Sequence, residues 1–356
     1  MQPLIANNAP HALPSDVTEH LAAFNLTLNS ILTTSSAKAL HTTATGVALS
    51  AMHYALPHRA LARAVNPATV ATTAPRGYVA ALRDLAERRG ILGAALRYNG
   101  CPYATPGCAA ACLAHSGHAA LSVAPIACRG RRTLAMIADP VTYARAVAYA
   151  VAAQLARASR LGVPLAVRLC GTDETPWFRR TFPLSVADAE RMRRRYGVTV
   201  SPGDHVTIAD AFAPETANGS LFLYEYSKAR ADAADGLLAW RAAGWDITAS
   251  FAADRSTACA DAFAAIAAGF RVAFPLMLGK RDPIPSRVLL TYNGQTYAMP
   301  AVDGDATDAR YADPHGVAVI LREKRTRGAD RATASRFLMP NAPLIRLSDG
   351  TVQLIP

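Results

Sequence analysis

"SLFLYEYSKARADAADGLLAWRAAGWDITASFAADRSTACADAFAAIAAGFRVAFPLML", residues 220–278, alternates three apolar runs with two alanine-rich segments. The runs 220–226, 246–252 and 270–278 carry Leu, Val, Ile, Phe and Tyr and read as strands. The segments between them, 229–243 and 257–268, read as helices stopped at Gly244 and Gly269. Strand, helix, glycine, strand is the pattern of βαβ units, which pair their strands in parallel. Near-continuous apolar strands imply a sheet covered on both faces.

The rhythm extends both ways. "ILGAALRYN" (91–99) reads as the first strand and leads into a cysteine loop. A long helix over 139–161 stops at Gly162, and strand "VPLAVRL" (163–169) follows. Residues 185–196 read as a helix and "HVTIADAF" (205–212) as a short strand. Three shorter strands close the chain: "RVLLTYN" (287–293), "QTYAMPAV" (295–302) and "GVAVILRE" (316–323). Residues 1–77 read instead as a helical N-terminal region and linker, before an α/β domain over 78–356. Asp16 and Glu19 form a capping pattern there, and 66–77 is rich in threonine with two prolines. The expected fold is therefore α/β with a mainly parallel sheet and a helical N-terminal extension. A doubly wound sheet and a closed or partial barrel both fit the pattern. No G-x-G-x-x-G follows the first strand, which argues against a dinucleotide fold.

The chain has 356 residues, 51% of them hydrophobic and 18% charged, a globular composition. No run approaches the ~18 apolar residues of a membrane span, and the N-terminus has no charged-then-apolar leader. A cytoplasmic location with reduced thiols is the expectation. The net charge of +11 is concentrated at Arg129/Arg131/Arg132, Arg179/Arg180, Arg191/Arg193/Arg194/Arg195, Lys280/Arg281 and Arg322/Lys324/Arg325/Arg327. Such clusters attract polyanions, so a nucleic acid is a candidate partner.

Half of the six cysteines lie in one loop, Cys101-x6-Cys108-x3-Cys112. Cys108 and Cys112 are four apart and share a face if that piece is helical. Three thiolates with His115 or His118 would complete tetrahedral zinc; three alone suit an iron–sulfur cluster with one open iron. Cys128 and Cys259 read as small buried hydrophobes. Parallel architecture places active residues in the loops after the strands. Those loops carry Gly171–Thr172–Asp173–Glu174, Tyr226 with Lys228, Asp254–Arg255–Ser256, and a dense stretch with Asp303, Asp305, Asp308, Arg310 and Asp313. The last reads either as an ion-paired structural loop or as a substrate clamp; the register of a calcium loop is absent. No G-x-S-x-G points to a serine hydrolase.

"CPYATPGCAAACL" (101–113), "VRLCGTDETPW" (167–177), "YEYSK" (224–228), "ITASFAADRS" (247–256) and "VDGDATDARYADPHGVAVILR" (302–322), in this order, resemble the phage and mobile-element family called gene-product-88-like. A more distant likeness is to radical S-adenosylmethionine enzymes. These are partial (β/α)6 barrels with a three-cysteine loop after the first strand and a Gly-rich acidic turn after the second. The usual spacing there is C-x3-C-x2-C, which this chain does not keep. That resemblance implies a [4Fe–4S] cluster on Cys101, Cys108 and Cys112. It also implies S-adenosylmethionine against Gly171, Thr172 and Asp173, cleaved by one electron to a 5′-deoxyadenosyl radical. Tyr226, Lys228, Arg255, Asp303, Asp305 and Asp308 would line the substrate side, with a nucleic acid or nucleotide as substrate. The alternative expectation is a non-catalytic, replication-associated nucleic-acid-binding protein with a structural zinc site.

Overall fold

A computed structural model describes residues 12–34, 37–57, 60–66, 76–112, 123–279, 281–323, 333, 344–346 and 351–354. Its strands are β1 (Leu49–Met52), β2 (Leu165–Arg168), β3 (Phe182–Leu184), β4 (Gly203–Val206), β5 (Leu221–Ser227) and β6 (Asp246–Ser250). They continue as β7 (Arg271–Leu276), β8 (Arg287–Tyr292), β9 (Gln295–Asp303), β10 (Ala318–Arg322), β11 (Leu344–Arg346) and β12 (Thr351–Leu354). Ten of them form one sheet, ordered β1-β2-β5-β6-β7-β10-β9-β8-β12-β11, while β3 and β4 pair separately. From β1 through β10 to β9 every pairing is parallel. Only the β8–β9 and β11–β12 pairings in this sheet are antiparallel. The fold is α/β with a large, mostly parallel sheet, as the strand–helix rhythm implied.

Alternation along the strands sorts the two faces. Leu165 and Val167, Leu221 and Leu223, Ile247 and Ala249, and Val272 and Phe274 join the helices in one large core. Its thickest wall is the helix Pro140–Leu161. Asp139 caps that helix by accepting from the backbone N–H groups of Val141 and Thr142, and Pro140 occupies its first turn. Gly162 ends it at φ +67°, a conformation only glycine adopts freely. Twelve of its residues are buried, mostly alanine, so its backbone lies close to the sheet.

The opposite face carries Ala166, Tyr224, Ala273 and Val319 in two small clusters. The connection from β9 to β10 crosses it. Tyr311 stacks on Phe222 with ring centroids 4.1 Å apart. Tyr224 donates to Asp308 (3.3 Å), and Arg271 Nε donates to the Asp313 carbonyl (2.9 Å).

Several sequence expectations are corrected. "ILGAALRYN" is not a strand: Leu92–Arg97 is a helix. The first strand is β1, inside the region expected to be helical, and Val17 through Val65 pack in the same core as the rest. "HVTIADAF" splits into the end of β4 and a helix, Ile208–Ala211, capped by Thr207. The helix expected over 229–243 is confined to Leu237–Ala242.

Candidate functional site

A cavity of about 190 Å³ opens at the C-terminal ends of the parallel strands. Its wall contains Cys101, Cys108 and Cys112 together with the turn Gly171–Thr172–Asp173–Glu174. The same wall includes Arg168, Tyr226, Lys228, Asp308 and Arg322. The cysteine loop and the acidic turn, 58 residues apart from Cys112 to Cys170 in the sequence, thus meet around one space.

The cysteine loop borrows its shape from elsewhere. Pro106–Ala110 is a short helix whose cap, Thr105, accepts from the Cys108 N–H. Asp254, after β6, accepts from the Thr105 hydroxyl (2.6 Å) and the Gly107 N–H (2.7 Å). Arg255 donates to the carbonyls of Lys228 (2.5 Å) and Tyr103 (2.7 Å). Arg255 therefore ties the loop to β5 and does not line the cavity. It was expected on the substrate side because the sequence does not show what its guanidinium holds.

The acidic turn is equally fixed. Gly171 donates to the His53 carbonyl (2.9 Å) and Thr172 to the Ala55 carbonyl (2.7 Å). The Glu174 N–H donates to the Gly100 carbonyl (2.7 Å), and its carboxylate accepts from the Lys228 N–H (2.8 Å). Thr175 donates to Asp173 Oδ2 (2.6 Å), while the buried Oδ1 has no hydrogen-bond partner among the described residues. Burial pushes the Asp173 carboxyl up to about 6.

The thiols share the cavity but do not converge. Among the described residues no three Cys, His, Asp or Glu side chains surround one metal-sized point. The Cys101 thiol is directed at the Thr172 carbonyl (3.7 Å), and Cys108 is hydrogen-bonded to Lys228. Burial raises the Cys108 thiol, and the Lys228 charge opposes that rise. Nearby Cys108, Glu174 and Cys101 together hold the Lys228 ammonium in its charged form against burial. His115 and His118 lie outside the described residues. None of the cysteines is in a disulfide. Cys128 and Cys259 are half-buried against the core.

Asp303 and Asp305 do not line the cavity either. Asp303 takes both its oxygens to Arg322 Nη1 (3.0 and 2.9 Å), and Asp305 accepts from the Arg322 N–H (2.8 Å). They position Arg322, which does line it, so for these two the ion-paired reading fits the geometry. Asp308, Tyr226 and Lys228 stand in the wall.

Sequence reasoning missed Arg168 and Cys170, both in the cavity wall, and Glu225 beside them. The signal for two of them was one charged residue in an apolar strand, "LAVRL" and "LFLYEY". Glu225 is fully buried and accepts from the N–H groups of Leu169 (2.5 Å) and Cys170 (2.7 Å), fastening the start of the acidic turn. Desolvation outweighs those bonds and the Arg168 charge, pushing the Glu225 carboxyl up to about 8 from 4.5. The unfolded chain then releases this proton first. Stability is full below about pH 4.5 and falls as the pH rises to about 8. Between about pH 5 and about pH 9 a loss of roughly 2–4 kcal/mol is expected in urea titrations, and Glu225→Gln should flatten it.

The basic clusters divide. Arg129 and Arg132 are buried, Arg132 donating to the Ser30 carbonyl (2.5 Å), and Arg322 belongs to the cavity. Arg179, Arg193, Arg194, Arg195 and Arg281 are exposed, and Lys280, Lys324, Arg325 and Arg327 lie outside the described residues. No helix among the described residues is long and apolar enough to cross a membrane. No family model, curated protein or solved structure matches the chain.

Proposed function

We propose that the chain is an iron–sulfur enzyme of the radical S-adenosylmethionine type, with Cys101, Cys108 and Cys112 as the cluster ligands. One observation carries this reading. The three thiols, from the connection between the first two parallel strands, share a cavity wall with the acidic turn that follows the second strand. Strands β1, β2, β5, β6, β7 and β10 follow one another in sequence order across the sheet. On this reading they form the open (β/α)6 barrel of such enzymes, and kinship with the gene-product-88-like family belongs to the same proposal.

The donor types suit the group, three soft thiols in one cavity wall and none in a disulfide, but their side chains do not converge and would have to turn to a common point as the metal is loaded. When bound, a [4Fe–4S] cluster with an open iron would supply single electrons to a sulfonium cosubstrate. The chain's own contribution is binding and shielding. Asp173 Oδ1, buried without a partner, is the acceptor for the cosubstrate ammonium. Gly171 and Thr172 hold that carboxylate in place through His53 and Ala55 rather than by touching the cosubstrate with their own N–H and hydroxyl groups. Lys228 must yield the Cys108 thiol when the metal is loaded, and Glu174 stands ready to keep its ammonium paired.

The nucleic-acid alternative draws, among the described residues, on exposed Arg179, Arg193, Arg194, Arg195 and Arg281, since Arg129, Arg132 and Arg322 are engaged internally. Anaerobic reconstitution with iron and sulfide is expected to give a brown protein with about four irons per chain. Reduced in the presence of S-adenosylmethionine, it should release methionine and 5′-deoxyadenosine. A colourless protein that holds one zinc and is unfolded by chelators would establish the alternative instead.

A further inference from the structure

The cavity lining also carries an unusual arginine. Arg168, the last residue of β2, lies with its guanidinium over the Tyr226 ring, 4.6 Å from the centroid. Its two nearest carboxylates stop short of hydrogen-bond distance: Glu225 Oε2 is 3.6 Å from Nε, and Asp308 Oδ2 is 3.9 Å from Nη1. Arg168 Nε is buried with no hydrogen-bond partner, and so are Tyr226 Oη and Arg322 Nε, all in residues of the same wall. Leaving a buried donor unmade costs about 1–3 kcal/mol, more for a charged group. Here three such donors sit in the residues that line one open space. The unmet atom of Asp173 in the same lining, Oδ1, is an acceptor.

We infer that Arg168, backed by Tyr226 and Arg322, is the receptor for an oxyanion group, a carboxylate or phosphate, on the enzyme's substrate. A guanidinium fork matches the two oxygens of such a group, and stacking on an aromatic ring leaves its N–H edge free for that bond. The strand ladder alone would set β2 and β10 four strand spacings apart, roughly 19 Å. Their arginines nevertheless border one cavity of about 190 Å³, which suits a small anionic molecule or one end of a larger one. Asp308 tempers the charge of Arg168 without occupying its donors. The incoming anion therefore competes chiefly with Asp308, which also accepts from Tyr224 (3.3 Å).

The role as a substrate site rests on the enzyme reading above, but the binding test needs no metal. Inorganic phosphate and acetate are titrated calorimetrically into the full chain as purified, and into Arg168→Gln and Asp308→Asn. The parent should bind one of the two anions. Arg168→Gln should weaken that binding by about tenfold or more. Asp308→Asn, which removes the competing charge, should strengthen it by at least about threefold. Opposite shifts are not expected of two merely structural residues, and the second variant decides the matter if the first does not fold. Tighter binding of phosphate assigns a phosphorylated substrate; tighter binding of acetate assigns a carboxylate. If the parent binds neither anion, or if Asp308→Asn leaves the affinity unchanged, the inference is overturned. Anion binding that persists in a protein unable to take up iron would sink the enzyme reading alone.

Discussion

Cys108→Ala is expected to abolish iron uptake while the chain stays folded. Cys108 lies outside the hydrophobic core, so alanine loses chiefly the thiol's bond to Lys228, whose ammonium keeps Glu174 beside it. The capping bond at this position uses its backbone N–H, which alanine retains. Alanine also favours the helix Pro106–Ala110. A stability loss of no more than about 2 kcal/mol is therefore expected in urea titrations, short of global unfolding. The loss of one of three thiols should reduce reconstituted iron to background and remove the sulfur-to-iron absorption. A structural zinc site predicts the reverse pairing, because metal-binding energy is then folding energy and the variant should be globally destabilised. Circular dichroism and metal analysis on one sample separate the two.

Gly171→Ala should be among the most damaging single-atom-scale changes to stability. A Cβ at this position would lie 2.5 Å from the Tyr54 ring and 2.7 Å from the His53 carbonyl oxygen. The ring can shift, but the carbonyl is backbone and receives the Gly171 N–H at 2.9 Å. Relief requires β1 and the acidic turn to separate, which also disturbs the Thr172–Ala55 bond beside it. A loss of about 1–3 kcal/mol is expected from overpacking of this kind, read from the urea midpoint. Iron retention should fall as well, since Cys101 faces the Thr172 carbonyl. Unchanged stability would mean that β1 is not seated against this turn.

How much of this was legible depended on how far each signal lay from its partner. Strands β5, β6 and β7 announce themselves because their apolar runs are long and their helices end in glycine. The first strand escaped because "LSAM" is four residues of modest β propensity, whereas "ILGAALRYN" is apolar enough to pass for a strand. Its Ala95 is buried at helical spacing from Leu92, a period too short to distinguish over six residues. The cysteine loop and the acidic turn were visible as motifs. Their meeting was inferable only from the rule that parallel strands gather their following loops at one edge. Arg255, Asp303 and Asp305 look like site residues in the sequence because carboxylates and guanidinia do not reveal their partners. Asp303 finds Arg322 nineteen positions later. Arg168 and Glu225 were readable in principle, since an apolar strand rarely carries a charge without a use for it.

Asp254 sits 149 positions beyond the threonine it orients. A loop held from that distance can take its shape only after the strands between have docked. If the loop takes up iron as proposed, that step would be a late event on a finished scaffold, and a donor of the inorganic component would have to dock on the native surface rather than catch a nascent chain.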